Sequence, residues 1–172
     1  MRSNPSKLAT EAELYAAALR ALMRRAHSVH EMEELLARLA EEEKLVRPVL
    51  EKLKHQQYLD DARYALDYAR HHAQSCRQGK FRIARELRGR GVPDRHIEVA
   101  LDAIFAETDE SSLVRERLKR MSKSGGALNE RKIASFYRSL LRAGFSGDVI
   151  RTEIRALKAD IAELPETADN GL

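Results

Sequence analysis

Residues 83–101, IARELRGRGVPDRHIEVAL, and residues 136–154, FYRSLLRAGFSGDVIRTEI, decide how this chain folds. Ile83, Leu87, Gly91, Val92, Ile97 and Leu101 match Phe136, Leu140, Gly144, Phe145, Ile150 and Ile154 at one constant offset of 53. Each stretch reads as a helix, a glycine just past its end, an apolar residue and a second helix. Glycine accepts the left-handed backbone that closes a helix, and Val92 or Phe145 can then staple onto Ile97 or Ile150. Self-similarity at this period marks a repeat protein. An earlier copy fits at an offset of 51, with Leu36 and Val46 matching Leu87 and Ile97, but Glu41-Glu42-Glu43 stands where the glycine turn would be.

Helical periodicity extends in both directions from these copies. Leu14, Ala18, Leu22 and Ala26 share one face of a first helix. Ser28-Val29-His30-Glu31 reads as a capping box, in which Ser28 accepts the Glu31 amide while the Glu31 carboxylate reaches back. Met32, Leu35, Leu36 and Leu39 mark a second helix, and Val46, Val49, Leu50 and Leu53 a third. Asp60 reads as the cap of the next helix, with Leu59 and Tyr64 as its staple. The expected fold is all-α: three tandem three-helix repeats in an elongated, curved arrangement, because stacked repeats touch mainly their neighbours. Nine helices in a row, spaced ~8–10 Å apart, could extend to roughly 70 Å. The expected boundaries are 1–58 for the first repeat with its N-terminal extension, 59–107 for the second, 108–160 for the third, and 161–172 for an acidic, flexible tail. Ser124-Gly125-Gly126 reads as a joint inside the third repeat.

Composition supports this class. Among 172 residues, 43% are hydrophobic, 34% charged and 5% aromatic, with no Trp, eight Gly and four Pro. So few turn formers and aromatics argue against a β-sandwich or barrel, and against collagen-like or low-complexity chains. A single cysteine, Cys76, forms no internal disulfide and is expected to be a partly buried, inert thiol. No apolar run approaches a membrane span, and no apolar stretch follows Met1-Arg2 as in a secretory signal, so a cytoplasmic setting is expected.

The net charge of +4 is unevenly spread. Residues 1–61 carry 10 basic and 11 acidic side chains, and residues 62–158 carry 21 and 12. Asp160, Glu163, Glu166 and Asp169 make the end of the chain acidic. A polyanion or an acidic protein surface is the partner this asymmetry suggests for the middle and C-terminal parts.

No set of residues converges as an enzyme requires. His71 and His72 diverge by about 100° on a helix, which suits no shared metal. His27 and His30 flank the capping serine, Asp60-Asp61 sit where a cap belongs, and Ser124-Gly125-Gly126 lacks a P-loop's lysine. Neither a catalytic residue, a cofactor nor a metal is expected. What remains is basic surface in three stripes: Arg82, Arg85 and Arg88; Arg115, Lys119 and Lys123; Arg131, Arg138 and Arg142. The last three fall within about 40° of one another, opposite an expected core stripe of Ile133, Phe136, Tyr137 and Leu140. These nine residues are the candidate contacts with DNA or a protein partner. With the aromatics at core positions, base stacking is not expected.

Four segments, in order, resemble the RecX family of bacterial RecA regulators. They are Ala18-Leu19 through Arg25, His27-Ser28 and Glu31; Tyr58-Leu59-Asp60-Asp61-x-Arg63-Tyr64-Ala65; Gly79-x-x-Arg82-Ile83-x-x-Glu86-Leu87-Arg88-x-Arg90-Gly91-Val92; and Gly144-Phe145-Ser146 with Ile150. Ala143 departs from the arginine many members carry before Gly-Phe, and Tyr64 replaces a phenylalanine. The resemblance implies a non-enzymatic protein that lies in the groove of the RecA filament. It further implies modulation, in most members inhibition, of ATP hydrolysis, strand exchange and coprotease activity, without fixing inhibition over activation for this chain. Expected partners are therefore the RecA filament and, weakly, single- or double-stranded DNA, with a monomeric chain and no membrane. Two other readings remain. Helix-turn-helix geometry over Arg82–Leu101 suits a double-stranded DNA regulator, although His96, Glu98 and Asp102 give its reader helix an acidic face. The other is a generic helical scaffold.

Overall fold

The computed structural model describes residues 7–123 and 129–162. The joint expected at Ser124-Gly125-Gly126 and the tail beyond Ala162 lie outside the described residues. Among those residues the chain is all-α, with helices α1 (Glu11–Leu22), α2 (Val29–Leu39), α3 (Val46–His55), α4 (Asp61–Gln74) and α5 (Lys80–Gly89), followed by α6 (Asp94–Glu107), α7 (Glu110–Lys123), α8 (Glu130–Arg142) and α9 (Gly147–Ala162).

The caps lie where side chains can supply missing acceptors. Ser28 caps α2 in a reciprocal box with Glu31, as expected. The Asp60 carboxylate accepts the amides of Ala62 and Arg63 at 2.9 and 3.1 Å, opening α4. Thr10 and Glu13 make a further capping box on α1 that the pattern reading did not include. That helix closes at Leu22, so Ala26 lies beyond it and is exposed.

Two compact units divide the chain. The first comprises residues 1–71 and 84–104. In it α1, α2 and α3 pack together over Leu14, Met32, Leu36, Val49 and Leu53, all 2% exposed or less. The glycine turn missing after α2 is replaced by backbone pairing. The Leu8 amide donates to the Leu39 carbonyl at 2.8 Å, the Glu41 amide donates to Leu8 at 2.9 Å, and a 3₁₀ turn over Glu43–Leu45 leads into α3. An extended segment thus satisfies carbonyls that would otherwise be left open at the helix end.

The second unit comprises residues 72–83 and 105–172. Here α7, α8 and α9 enclose Val114, Leu118, Phe136, Leu140, Phe145 and Ile150. Ile133 and Tyr137, expected in the core stripe of α8, are only half-buried.

Both glycine turns form as the sequence indicates. Gly91 and Gly144 take φ of 71° and 88°. The Val92 amide donates to Leu87 at 3.1 Å and the Gly91 amide to Arg88 at 2.9 Å. Phe145 and Gly144 repeat the pattern onto Leu140 and Leu141 at 3.2 and 2.9 Å.

Each turn then seats on the start of an earlier helix within its own unit. In the first, Ser28 Oγ donates to the Arg90 carbonyl at 2.5 Å, and a Cβ on Gly91 would come within 2.3 Å of His30. In the second, the Gly79 amide donates to the Ala143 carbonyl at 2.8 Å and the Phe81 amide to Gly144 at 3.1 Å. Open carbonyls at the end of one helix thereby meet open amides or a cap at the beginning of another, head to tail along their dipoles. Gly79 stands 51 residues after Ser28 and Gly144 stands 53 after Gly91, so the joint itself recurs.

Candidate functional site

Charged groups around the first joint satisfy one another. The Glu31 carboxylate accepts from Arg25 (twice, at 3.1 Å), from Arg90 at 3.0 Å, from the Ser28 amide at 3.1 Å and from Tyr64 at 3.3 Å. Burial pushes this carboxyl up, but Arg25, the Ser28 amide and Arg90 outweigh it and hold it below its ordinary value. The Arg90 guanidinium also lies 5.0 Å over the Tyr68 ring. Burial and a 2.7 Å hydrogen bond donated to Glu86 push the Tyr68 hydroxyl up to about 12. A 370 Å³ pocket beside this cluster has Arg25, Arg63 and Arg90 on its walls along with Asp60 and Asp67. Those arginines already serve carboxylates or, for Arg63, the Gln57 carbonyl at 2.7 Å, so the cluster holds the fold rather than offering charge.

Residues weighed as metal ligands have local roles. Asp60 caps α4, Asp61 accepts the Val29 amide at 2.9 Å, His27 contacts the Arg25 carbonyl at 3.0 Å, and His72 contacts Gln78 at 3.1 Å. Among the described residues no three His, Cys, Asp or Glu side chains gather as a metal site, and no helix is long and apolar enough to cross a membrane. Cys76 is exposed rather than partly buried, because the chain leaves α4 there through a left-handed Arg77.

The three basic stripes have different surroundings. Arg82 is half-buried, since Gly144 rests on its backbone, while Arg85 and Arg88 are exposed and Arg88 pairs with Asp94 at 2.6 Å. Lys119 and Lys123 are exposed on α7. Arg115 is a structural partner: its guanidinium grips Glu153 of α9 through two bonds of 2.9 and 3.0 Å, and Glu153 is only 5% exposed. Arg115→Gln should therefore lower stability by about 1–3 kcal/mol by leaving that carboxylate short of its charged partner. The double replacement Arg115→Leu/Glu153→Leu should recover most of the loss. Thermal melts followed by circular dichroism read both; unchanged melting of the single variant would show that the pair is incidental.

On α8, Arg131, Arg138 and Arg142 are all exposed. Arg138 lines a larger feature, a 410 Å³ groove between α8 and α9. Its floor is Ile133, Ala134, Tyr137 and Ile154; Arg138, Arg151, Arg155 and Lys158 supply four cations, and Glu130 one anion. Arg151 is held by donating to the Tyr137 hydroxyl at 3.0 Å and to Asp148 at 2.5 Å. Sequence reasoning passed over Arg151, Arg155 and Lys158, although their i, i+4, i+7 spacing marks one face of α9. An apolar floor with cationic walls can take an anionic ligand that also has apolar surface, such as a nucleic-acid strand or an acidic peptide.

A family model described as RecX, second three-helix domain, matches residues 60–101. The regulatory protein RecX of Halorhodospira halophila is 36% identical over 144 residues, which cover 84% of this chain and 88% of that protein. The chain belongs to the RecX family. Another RecX relative, from Leptothrix cholodnii, is 34% identical over 155 residues, covering 90% and 93% of the two chains. The crystal structure of RecX from Lactobacillus salivarius has the same fold, with a TM-score of 0.76 at 24% identity over 87% of this chain and 97% of that one. Within this RecX family member, Ser28 of the first resembling segment, Gly79, Arg90 and Gly91 of the third, and Gly144 of the fourth all take part in the two joints.

Proposed function

We propose that this chain is a regulator that binds the RecA–DNA nucleoprotein filament and inhibits its ATPase, strand-exchange and coprotease activities. The reading takes the protein as a cytoplasmic, monomeric, non-enzymatic binder made of repeats at 1–58, 59–107 and 108–160. The observation that carries it is the α8/α9 groove, in which four cations flank an apolar floor. A nucleoprotein filament offers two matching surfaces, phosphates and acidic protein side chains. Arg85, Arg88, Lys119, Lys123, Arg131 and Arg142 would add contacts on other exposed faces, with the half-buried Arg82 at the edge of one of them. Several weak contacts on one chain raise affinity through effective concentration without any single strong site.

Against a reader helix stand Glu98 and Asp102, both exposed on α6. A protein that used this helix in the major groove would place carboxylates against phosphates and base edges. The deciding experiment titrates the protein into the DNA-dependent ATPase of the cognate RecA. Inhibition at or below stoichiometric ratios is the expected result. No effect at any ratio would remove the regulatory reading.

A further inference from the structure

The rim of the α8/α9 groove is not uniformly positive. Arg151, Arg155 and Lys158 stand along α9 and Arg138 on α8, but Glu130 sets a carboxylate on the same rim at the start of α8. Beneath them lie the branched side chains of Ile133 and Ile154 and the exposed Ala134. We propose that the occupant of this groove is an acidic amphipathic helix of a protein partner rather than a nucleic-acid strand. Its apolar ridge rests on the floor and its carboxylates face α9. This deepens the functional reading, and rests on it in taking the groove as the face that meets the target.

The floor is the first reason. Single-strand sites stack successive bases on aromatic side chains, with arginine adding to the contact. Here the one aromatic, Tyr137, is half-buried, and its hydroxyl accepts from Arg151 at 3.0 Å, so ring and guanidinium are committed to each other. Ile133, Ala134 and Ile154 offer no flat π face. They match the leucine or isoleucine knobs that an amphipathic helix lays into a groove.

The charge pattern is the second. A phosphodiester strand is negative at every nucleotide and meets repulsion at Glu130, whereas a peptide can place a lysine or a neutral residue there. Arg151, Arg155 and Lys158 follow one another by rises of about 6 and 4.5 Å. The same rises separate carboxylates four and three residues apart on a helix lying alongside.

The repeat supplies the third. At the offset of 53, Arg151 and Arg155 correspond to Glu98 and Asp102 of α6, and Ala134 to Phe81. Core positions are kept between the two copies while these exposed charges reverse, so packing does not dictate their sign. The groove then reads the protein component of a nucleoprotein target, and the exposed cations on other faces remain for its phosphates.

The test titrates the full chain against two fluorescein-labelled probes. One is a helical peptide of about fourteen residues with leucines on one face and glutamates beside them; the other is oligothymidylate. A scrambled peptide of the same composition keeps the charge and breaks the apolar ridge. The designed peptide should bind about tenfold tighter than the scrambled one, as one buried leucine can supply, and should move the NMR signals of Ala134, Tyr137 and Ile154. Ala134→Gln sets a neutral amide on an exposed part of the floor. It should weaken the peptide about fivefold or more and leave oligothymidylate within about twofold, because no charge changes. Arg155→Gln/Lys158→Gln should weaken the peptide about twofold to tenfold.

Equal binding of the designed and scrambled peptides, or no effect of Ala134→Gln on the peptide, would overturn the proposal. Oligothymidylate that moves the same NMR signals and displaces the peptide would also overturn it and make nucleic acid the occupant. The RecA ATPase judges the functional reading separately. Inhibition by the unaltered chain keeps that reading whatever the peptides do; absent inhibition removes it, while the peptide titrations still decide the chemistry of the groove.

Discussion

Gly144→Ala should lower the melting temperature of this protein by about 4–20 °C, the largest loss expected from adding a single methyl group. Two costs combine. A left-handed residue with a Cβ costs about 1–2 kcal/mol, and φ at Gly144 is 88°. That Cβ would also stand 2.3 Å from the Arg82 backbone nitrogen, and overpacking of this kind costs about 1–3 kcal/mol. In a chain of this length each kcal/mol shifts melting by about 2–4 °C. Gly79→Ala isolates the second cost, because its Cβ would meet the Gly144 carbonyl group at 2.3 Å without a positive φ. Gly89→Ala is the control. Nothing lies within 4 Å of its added methyl, and alanine favours a helix end by about 0.5–1 kcal/mol over glycine, so melting should rise slightly. Similar melting of all three variants would show that the turn at Gly144 does not seat on the start of α5.

The contrast among these glycines shows what pattern reading reaches. Gly91 and Gly144 are legible because a helix stop is local, written in five or six consecutive residues. Their seats are not local: Ser28 meets Arg90 across 62 positions and Gly79 meets Ala143 across 64. Only the repeat offset hints at that contact, since Gly79 falls where Ser28 would be in the earlier copy. At Ser28 a hydroxyl reaches the carbonyl; at Gly79 the backbone itself approaches and leaves no room for a side chain. The replacement is accompanied by a change of charge. Glu31 and Arg90 pair across the first joint, whereas Arg82 and Ala143 hold the corresponding places in the second.

Legibility of the candidate site fails for a related reason. A helical wheel ranks residues on one helix, and on α8 it correctly placed Phe136 and Leu140 inside and Arg131, Arg138 and Arg142 outside. It cannot say which neighbour flanks the edge of the buried stripe. Ile133 and Tyr137 read as core, yet α9 leaves them half-open, and they become the floor of the groove. Arg115 reads as a candidate contact in a basic stripe because its buried partner, Glu153, lies 38 positions away.

The same limitation yields the sharpest functional contrast, between two sets of charge removals. The first set, Arg138→Gln/Arg151→Gln/Arg155→Gln/Lys158→Gln, strips the groove; the second, Arg131→Gln/Arg138→Gln/Arg142→Gln, strips the stripe on α8 alone. Glutamine nearly matches arginine and lysine in helix propensity, and all six residues are exposed, so both proteins should fold. If all four groove cations meet phosphates of a single strand, the log–log salt slope of binding should become shallower by about 3, at about 0.7 per contact. The α8 set shares only Arg138 with the groove, so its slope should change by about 0.7 if the other two arginines face solvent, and by about 2 if all three contact phosphate. Inhibition of the RecA ATPase should follow the groove set. A groove variant with an unchanged salt slope but lost inhibition would assign these cations to acidic protein surface instead of DNA. If the α8 set alone lost both activities, the groove would be a packing feature and the outer face of α8 the true contact. Because Arg138 is the one residue common to both sets, Arg138→Gln alone measures how much of either loss belongs to it.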